Sequence, residues 1–357
     1  MKKYMFFLLI VFMFPINVFA FTDTSKSSIV MDVDSGRILY QKNAHEKRLI
    51  ASITKIMTAT IAIENYNTRK TLTVGDEVLS MYGTNIYVKK GDEISVKDLI
   101  YGLILRSGND AAMVLANNIN EKKFINLMNK KAKEIGMKDT LFGNPHGLDD
   151  DDEIEEKNYS TAYDMAILSR YSYNKLPLYR EIINTKKYTY KTNSKTDIWY
   201  NRNKLLSEYK YCIGGKTGYT PKAGKTLVSV AKKNNLTLTA VSLKDPNHYN
   251  SQKSLYEYLF DKYKNYKIID KSTFTLDEEY YKDNLYIKDD YYYPLADNEI
   301  DYIETIVKIS KLKNYNNGDK VGEIEVKFKD KIVKIIDVYV KKDNKKKKGI
   351  FSNLFKR

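Results

Sequence analysis

Ile50-Ala51-Ser52-Ile53-Thr54-Lys55-Ile56-Met57-Thr58 places a serine and a lysine three residues apart at the mouth of an apolar, helix-forming run. On a helix, positions i and i+3 share a face with Cβ atoms about 5–6 Å apart, which brings the Lys55 amine within reach of the Ser52 hydroxyl. A serine is a weak nucleophile at neutral pH until a base takes its proton. A lysine is such a base only when burial or a second cation lowers its pKa, so the second cation must come from elsewhere in the chain. Ile53, Ile56, Met57, Thr60 and Ile61 recur at helical spacing, which predicts a buried helix over residues 48–65 with Ser52 near its positive end. The spacing alone is a weak sign of catalysis, because Ser-x-x-Lys also begins at Ser172, Ser207, Ser229 and Ser310.

Upstream, residues 29–40 set an Asp-Ser-Gly turn between two β-prone runs and read as a hairpin. Downstream, residues 71–95 carry Gly75, Gly83 and Gly91 among short β-prone pieces, read as strands and turns over the site. Helical patterns over 96–104 and 110–118 are broken by Arg106-Ser107-Gly108-Asn109, a second polar triplet of the form Ser-x-Asn. That form recurs at Ser172 and by itself reads as a cap and a turn. An amphipathic helix over 124–136 leads to a loop over 142–148, an acidic run over 149–156 read as a solvated loop, and a helix over 160–173 capped by Ser160-Thr161. The third stretch is Ile213-Gly214-Gly215-Lys216-Thr217-Gly218-Tyr219-Thr220, next to alternating strands at 227–231 and 236–243. Its glycines let a ligand lie close to the backbone of a strand edge.

The two ends differ from the body. Lys2 and Lys3, an apolar run over 5–14, Pro15 and the small exit at Val18-Phe19-Ala20 read as a signal peptide over residues 1–20, cleaved near Ala20. Cys212 is the sole cysteine, which excludes an intramolecular disulfide and a Cys-rich metal site, and three scattered histidines suggest no His-ligated one. No metal and no other cofactor is expected. Of the +15 formal charge, residues 1–20 carry +2 and residues 341–357 carry +7, leaving a mildly basic body. Such a balance suits anionic wall polymers or lipid, and an exported chain has no nucleic acid to meet. After residue 262 the chain turns tyrosine-rich and β-branched, with alternating segments at 304–309, 321–328 and 332–340 and turns at Asn317-Gly318 and Lys329-Asp330: a small all-β domain over 263–340. In the tail, Ile350, Phe351, Leu354 and Phe355 share one helical face behind four consecutive lysines, the pattern of a short helix lying on an anionic membrane surface.

Ser52-x-x-Lys55, Ser107-x-Asn109 and Lys216-Thr217-Gly218, in that order on helix, inter-helix loop and strand, form a combination that chance rarely supplies. Penicillin-binding proteins and class A β-lactamases carry such a trio, with Ser-Asp-Asn in the middle, where this chain has glycine. Over residues 25–262 the sequence resembles the D-alanyl-D-alanine carboxypeptidases among the low-molecular-mass penicillin-binding proteins. The likeness extends to Asn144-Pro145-His146-Gly147-Leu148 and Tyr159-Ser160-Thr161-Ala162. Ile50 and Ile213 depart from it, standing where the family usually has proline and often an acidic residue.

The resemblance implies an α+β serine β-lactamase/transpeptidase-like fold over 21–262, an antiparallel sheet with a helical cluster. It implies Ser52 as nucleophile, Lys55 as its base and Ser107 as proton relay, with Asn109 holding Lys55 and the substrate amide. Lys216 would supply positive potential, Thr217 would bind the substrate carboxylate, Gly218 would leave room for its backbone, and the N–H groups of Ser52 and Tyr219 would hold the oxyanion. The implied substrates are peptidoglycan stems ending in D-Ala-D-Ala, with β-lactam antibiotics as covalent inhibitors, at the outer face of the cytoplasmic membrane or the wall. The competing readings are a β-lactamase and a non-catalytic wall-binding or β-lactam-sensing protein of the same fold.

Overall fold

The computed structural model describes residues 21–149, 157–276, 278–282 and 284–341. The stretch expected to be a signal peptide, most of the acidic run and the basic tail beyond Lys341 lie outside the described residues. The chain opens with β1 (Ser27–Asp32) and β2 (Ile38–Lys42), the expected antiparallel hairpin, followed by the short β3 (Arg48–Leu49). Next come α1 (Lys55–Asn65), β4 (Thr71–Thr73), β5 (Glu93–Ser95), α2 (Val96–Tyr101), α3 (Asn109–Asn117) and α4 (Glu121–Glu134). β6 (Tyr159–Ser160), α5 (Ala162–Lys175) and α6 (Pro177–Asn184) precede a hairpin of β7 (Lys187–Lys191) and β8 (Thr196–Tyr200). After α7 (Leu205–Glu208), the long strands β9 (Cys212–Thr220), β10 (Gly224–Lys233) and β11 (Leu236–Leu243) complete the main sheet, and α8 (His248–Lys262) closes over it.

That sheet is antiparallel, in the order β2-β1-β11-β10-β9, so the strand carrying Lys216-Thr217-Gly218 lies at an edge. β11 is buried along its whole length, and its period-2 alternation divides it between two cores. Val241 and Leu243 join the helical cluster with Ile29, Met31, Val228 and Val230, while Leu236, Leu238 and Ala240 join α8 with Val30 and Leu227. Covered on both faces, β11 also buries the hydroxyls of Thr237, Thr239 and Ser242; that of Thr239 bonds Ser169 at 2.7 Å, and that of Ser242 accepts from Gln252 at 3.1 Å. A third core belongs to the later strands β12 (Lys264–Ile269), β13 (Leu285–Tyr286), β14 (Tyr291–Leu295), β15 (Ile303–Ile309), β16 (Lys320–Phe328) and β17 (Lys331–Val340). Here β12 pairs with β14, and the others form a sheet in the order β13-β17-β16-β15. The Lys329-Asp330 turn is a two-residue hairpin with φ of 48° and 65°, the left-handed pair that matches strand twist.

Several expected elements are shifted. The helix expected over 48–65 is three pieces: the strand β3, a 3-10 turn over Ala51–Thr54 that holds Ser52, and α1 from Lys55. The helix expected over 96–104 ends at Tyr101 and continues as a π-helical turn, Gly102–Arg106, and the next helix starts at Asn109. The helix expected from Ser160 starts at Ala162, with the Thr161 side chain as its cap. Asp149, expected in a solvated loop, is buried and accepts a 2.6 Å hydrogen bond from the Thr220 hydroxyl at the end of β9.

The two units meet at the turn between β1 and β2. Arg37 donates to both carboxylate oxygens of Glu299 at 2.7 and 2.8 Å and to the Pro294 carbonyl, and its guanidinium lies 4.3 Å from the Phe328 ring centre and 5.3 Å from that of Tyr293.

Candidate active site

Three side chains converge from distant parts of the chain because three unusual backbone segments hold them. Ala51 has φ of +50°, which breaks the helix before it begins and forces the tighter 3-10 turn. In such a turn residues three apart eclipse one another, so Ser52 sits directly over Lys55. Tertiary contacts impose this geometry: the Thr226 hydroxyl donates to the Ile50 carbonyl at 3.1 Å, and Asn158 donates to the Thr54 hydroxyl at 3.0 Å. Gly147 passes so close that a Cβ there would stand 2.2 Å from the Ala51 carbonyl oxygen. Ser107 is the second special residue, left-handed at φ +67°, and it separates the π-helical turn from α3. The third is the edge strand β9, where a Cβ on Gly218 would lie 2.9 Å from the Ser52 backbone nitrogen.

The Lys55 Nζ lies 3.0 Å from Ser52 Oγ and 2.7 Å from Asn109 Oδ1, and it also donates to the His146 carbonyl. Asn109 in turn donates to the Tyr82 carbonyl at 2.8 Å, which ties the segment over the site to α3. On the other wall, Lys216 Nζ donates to Ser107 Oγ at 3.0 Å and to the Thr217 carbonyl at 2.6 Å. All five residues expected to carry the chemistry are thus in one site, and the Asn109 side chain bonds Lys55 instead of capping a helix. Thr217, Gly218 and Tyr219 follow along β9 beside Ser52, with the Tyr219 side chain 64% exposed at the rim. The other Ser-x-x-Lys serines include Ser229, held by Gln252 and Tyr256, and Ser172, held by Thr60.

Lys55 and Lys216 are 0% and 1% exposed. Burial, and next the Lys216 charge, hold Lys55 well below the ordinary lysine range, while Asp110 opposes them. Burial, and next the Arg202 guanidinium, push Lys216 down to about 7. The His146 ring is held neutral, its pKa pushed down to about 3 by burial and by Lys55, and its Nδ1 accepts from the Leu148 N–H at 3.1 Å. That histidine therefore serves through its carbonyl, a role no side-chain pattern reveals. Arg202 also escaped the sequence reading; its backbone N–H bonds the Leu105 carbonyl and its guanidinium donates to Thr84 Oγ1 at 3.1 Å. Among the described residues, no group of three or more His, Cys, Asp or Glu side chains is placed to hold a metal ion.

A family model described as D-alanyl-D-alanine carboxypeptidase matches residues 17–247. The chain belongs to that family. D-alanyl-D-alanine carboxypeptidase DacF of Bacillus subtilis is 35% identical over 256 residues, which is 68% of this chain and 64% of the relative. DacC of Escherichia coli is 35% identical over 233 residues, 61% of this chain and 56% of that protein. The matched part thus spans under two thirds of the length of these family members. Solved structures extend the likeness beyond it. Penicillin-binding protein 5 of Haemophilus influenzae superimposes with a TM-score of 0.70 at 25% identity, covering 90% of this chain and 97% of that one. Penicillin-binding protein 6B of Escherichia coli does so with a TM-score of 0.68 at 27% identity, covering 88% and 95%.

Proposed function

We propose that this protein is a serine-type D-Ala-D-Ala carboxypeptidase that removes the terminal D-alanine from peptidoglycan pentapeptide stems through an acyl-enzyme on Ser52. The observation that carries this reading is the set of three neighbours around Lys55 Nζ. A neutral amine has two N–H groups and one lone pair. The Asn109 Oδ1 and the His146 carbonyl can only accept, so they take both N–H groups, and the lone pair is left facing the Ser52 hydroxyl. Ser52 attacks the carbonyl between the two D-alanines as Lys55 takes its proton. Ser107, between Lys216 and the leaving group, passes a proton to the departing D-alanine. Lys216, Arg202 and the Thr217 hydroxyl receive the terminal carboxylate, and the N–H groups of Ser52 and Tyr219 hold the oxyanion, a contribution of about 3–4 kcal/mol per donor. Water then releases the shortened stem.

The names of the relatives favour the carboxypeptidase over the β-lactamase alternative. The experiment is incubation with a pentapeptide ending in D-Ala-D-Ala: free D-alanine is expected, together with a slowly hydrolysed adduct of labelled penicillin on Ser52 that the Ser52→Ala variant lacks. Rapid turnover of penicillin without a trapped adduct would make the protein a β-lactamase, and an adduct on another serine would remove Ser52 from the mechanism.

The same reading has residues 1–20 direct export, residues 21–262 act on the stems, residues 263–340 serve as a stalk and residues 341–357 hold the protein to the outer face of the cytoplasmic membrane. Among the described residues no helix is long and apolar enough to cross a membrane. Each basic residue near an anionic surface contributes on the order of 1 kcal/mol. In vesicle sedimentation the mature chain is expected to pellet with anionic lipid at low salt, and a chain truncated after Val340 to stay in solution. Equal sedimentation of the two forms would rule the tail out as the anchor.

A further inference from the structure

Strand β15 ends its sheet: β16 pairs with it on one side, and among the described residues no strand lies along the other. The Ser310 N–H donates to the Val321 carbonyl at 2.8 Å, and the Lys329 N–H donates to the Tyr302 carbonyl at 3.2 Å. Residues that bond the neighbouring strand alternate in an antiparallel pair, so Glu304, Ile306 and Lys308 turn their main chain toward β16. The N–H and carbonyl groups of Ile303, Thr305, Val307 and Ile309 then point to the free side. Among the described residues no side chain bonds them, and Thr305 and Val307 are exposed, so this edge is open.

Edge strands that stay single are blunted by proline, by a bulge, by short length or by charge. The strand at the opposite edge of this sheet, β13, has two residues. β15 has seven, without proline or glycine, and its register with β16 is unbroken, whereas β16 against β17 shifts twice. Its charges are placed so that they do not repel a copy of themselves. In Ile303-Glu304-Thr305-Ile306-Val307-Lys308-Ile309, Glu304 and Lys308 stand two residues to either side of Ile306 and are opposite in sign. Laid antiparallel about Ile306, a second copy sets Glu304 opposite Lys308, Ile303 opposite Ile309, Thr305 opposite Val307 and Ile306 opposite itself. Glu304 has no ion-pair partner among the described residues, and the Lys308 side chain, which bonds Glu325, is still 55% exposed. The two adjacent registers that keep the free groups facing put Lys308 against Tyr302 or Ile306 and Glu304 against Ile306 or Ser310, so both charge pairs are lost.

We propose that two copies of this chain join through β15, antiparallel about Ile306, so that the two sheets run on as one. The interface is isologous: each residue of the strand meets its mirror position, and both copies use the same patch. The free N–H and carbonyl groups of Ile303, Thr305, Val307 and Ile309 are then satisfied by their counterparts, and two Glu304–Lys308 pairs fix the register. The occupant is a second copy because the strand's charges complement its own reversed sequence. The pairing is independent of the reaction proposed at Ser52.

Sedimentation equilibrium of the mature chain tests it. A monomer–dimer equilibrium is expected, with Kd on the order of 100 µM, since one strand edge lies at the small end of interfaces. Thr305→Pro removes an outward N–H and leaves every bond to β16, so it should keep the wild-type Tm and weaken the dimer at least ~10-fold. Oxidative cross-linking then reads the register. Directly opposite residues outside the hydrogen-bonded pairs have Cα atoms about 4.5 Å apart, within disulfide reach, so Ile306→Cys should cross-link to its own copy. Glu304→Cys, about 13 Å from its counterpart, should not. The native Cys212 is buried and does not compete. A wild-type chain that stays monomeric at ~1 mM, as it does if the edge takes a strand of another protein, overturns the proposal. So does a dimer that Thr305→Pro leaves unchanged, or equal cross-linking of the two cysteine variants.

Discussion

The Lys55→Arg variant is expected to lose acylation by labelled penicillin by at least ~10³-fold, the scale of a general base removed from a nucleophile that depends on it. A guanidinium has no lone pair to offer and is not deprotonated in proteins, so the Ser52 proton has nowhere to go. The Lys216→Arg variant should keep a measurable rate, because a cation that bonds Ser107 and the Thr217 carbonyl and attracts a carboxylate is replaced by another cation. A further sign follows from the depressed pKa of Lys55. The base works only when neutral, so the wild-type acylation rate should fall as pH drops through that pKa. Stopped-flow acylation, with thermal unfolding as a check that each variant folds, reads all three. Wild-type rates in both arginine variants would end the assignment of Lys55 as base.

The Asp110→Ala variant should be the most destabilised single change near the site, by ~3 kcal/mol or more. The Asp110 carboxylate is buried and accepts from the backbone N–H groups of Ile86, Tyr87, Val88 and Ala111 at 2.9, 2.7, 3.3 and 2.8 Å. Its removal strands several donors out of water at about 1–3 kcal/mol each before relaxation. It also frees the segment whose Tyr82 carbonyl accepts from Asn109, so acylation should slow as stability falls. Asp110→Asn keeps one acceptor oxygen and should sit between the two. Urea unfolding gives the stability, and a wild-type midpoint for Asp110→Ala would show that the segment is held by something else.

What could be read from the sequence was what local chemistry determines. The Ser52–Lys55 pairing follows from spacing under either a 3-10 or an α geometry, and the Lys329-Asp330 turn follows from its position between alternating strands. The hairpin of β7 and β8 was not read, because Lys, Thr and Asn between its aromatics look like loop. Its order comes from stacking that the pairing of side chains in space creates, with Tyr190 on Trp199 across the hairpin at 3.6 Å and Tyr188 on Tyr101 of α2 at 3.5 Å. The left-handed Ala51 was likewise invisible, since Gly147 and Thr226 impose it from far along the chain. Arg202 and the His146 carbonyl belong to the same class: each enters the site through tertiary contacts alone.

Arg37 has a mechanical consequence. To swing the later strands away from the main sheet, its guanidinium must give up two bonds to Glu299 and one to Pro294 and slide off the Phe328 and Tyr293 rings in a single movement. Such a joint resists bending like a bolted flange. On the proposed function, with the tail on the membrane, the site around Ser52 would be carried at a set height above it, within reach of the stems that lie at that height.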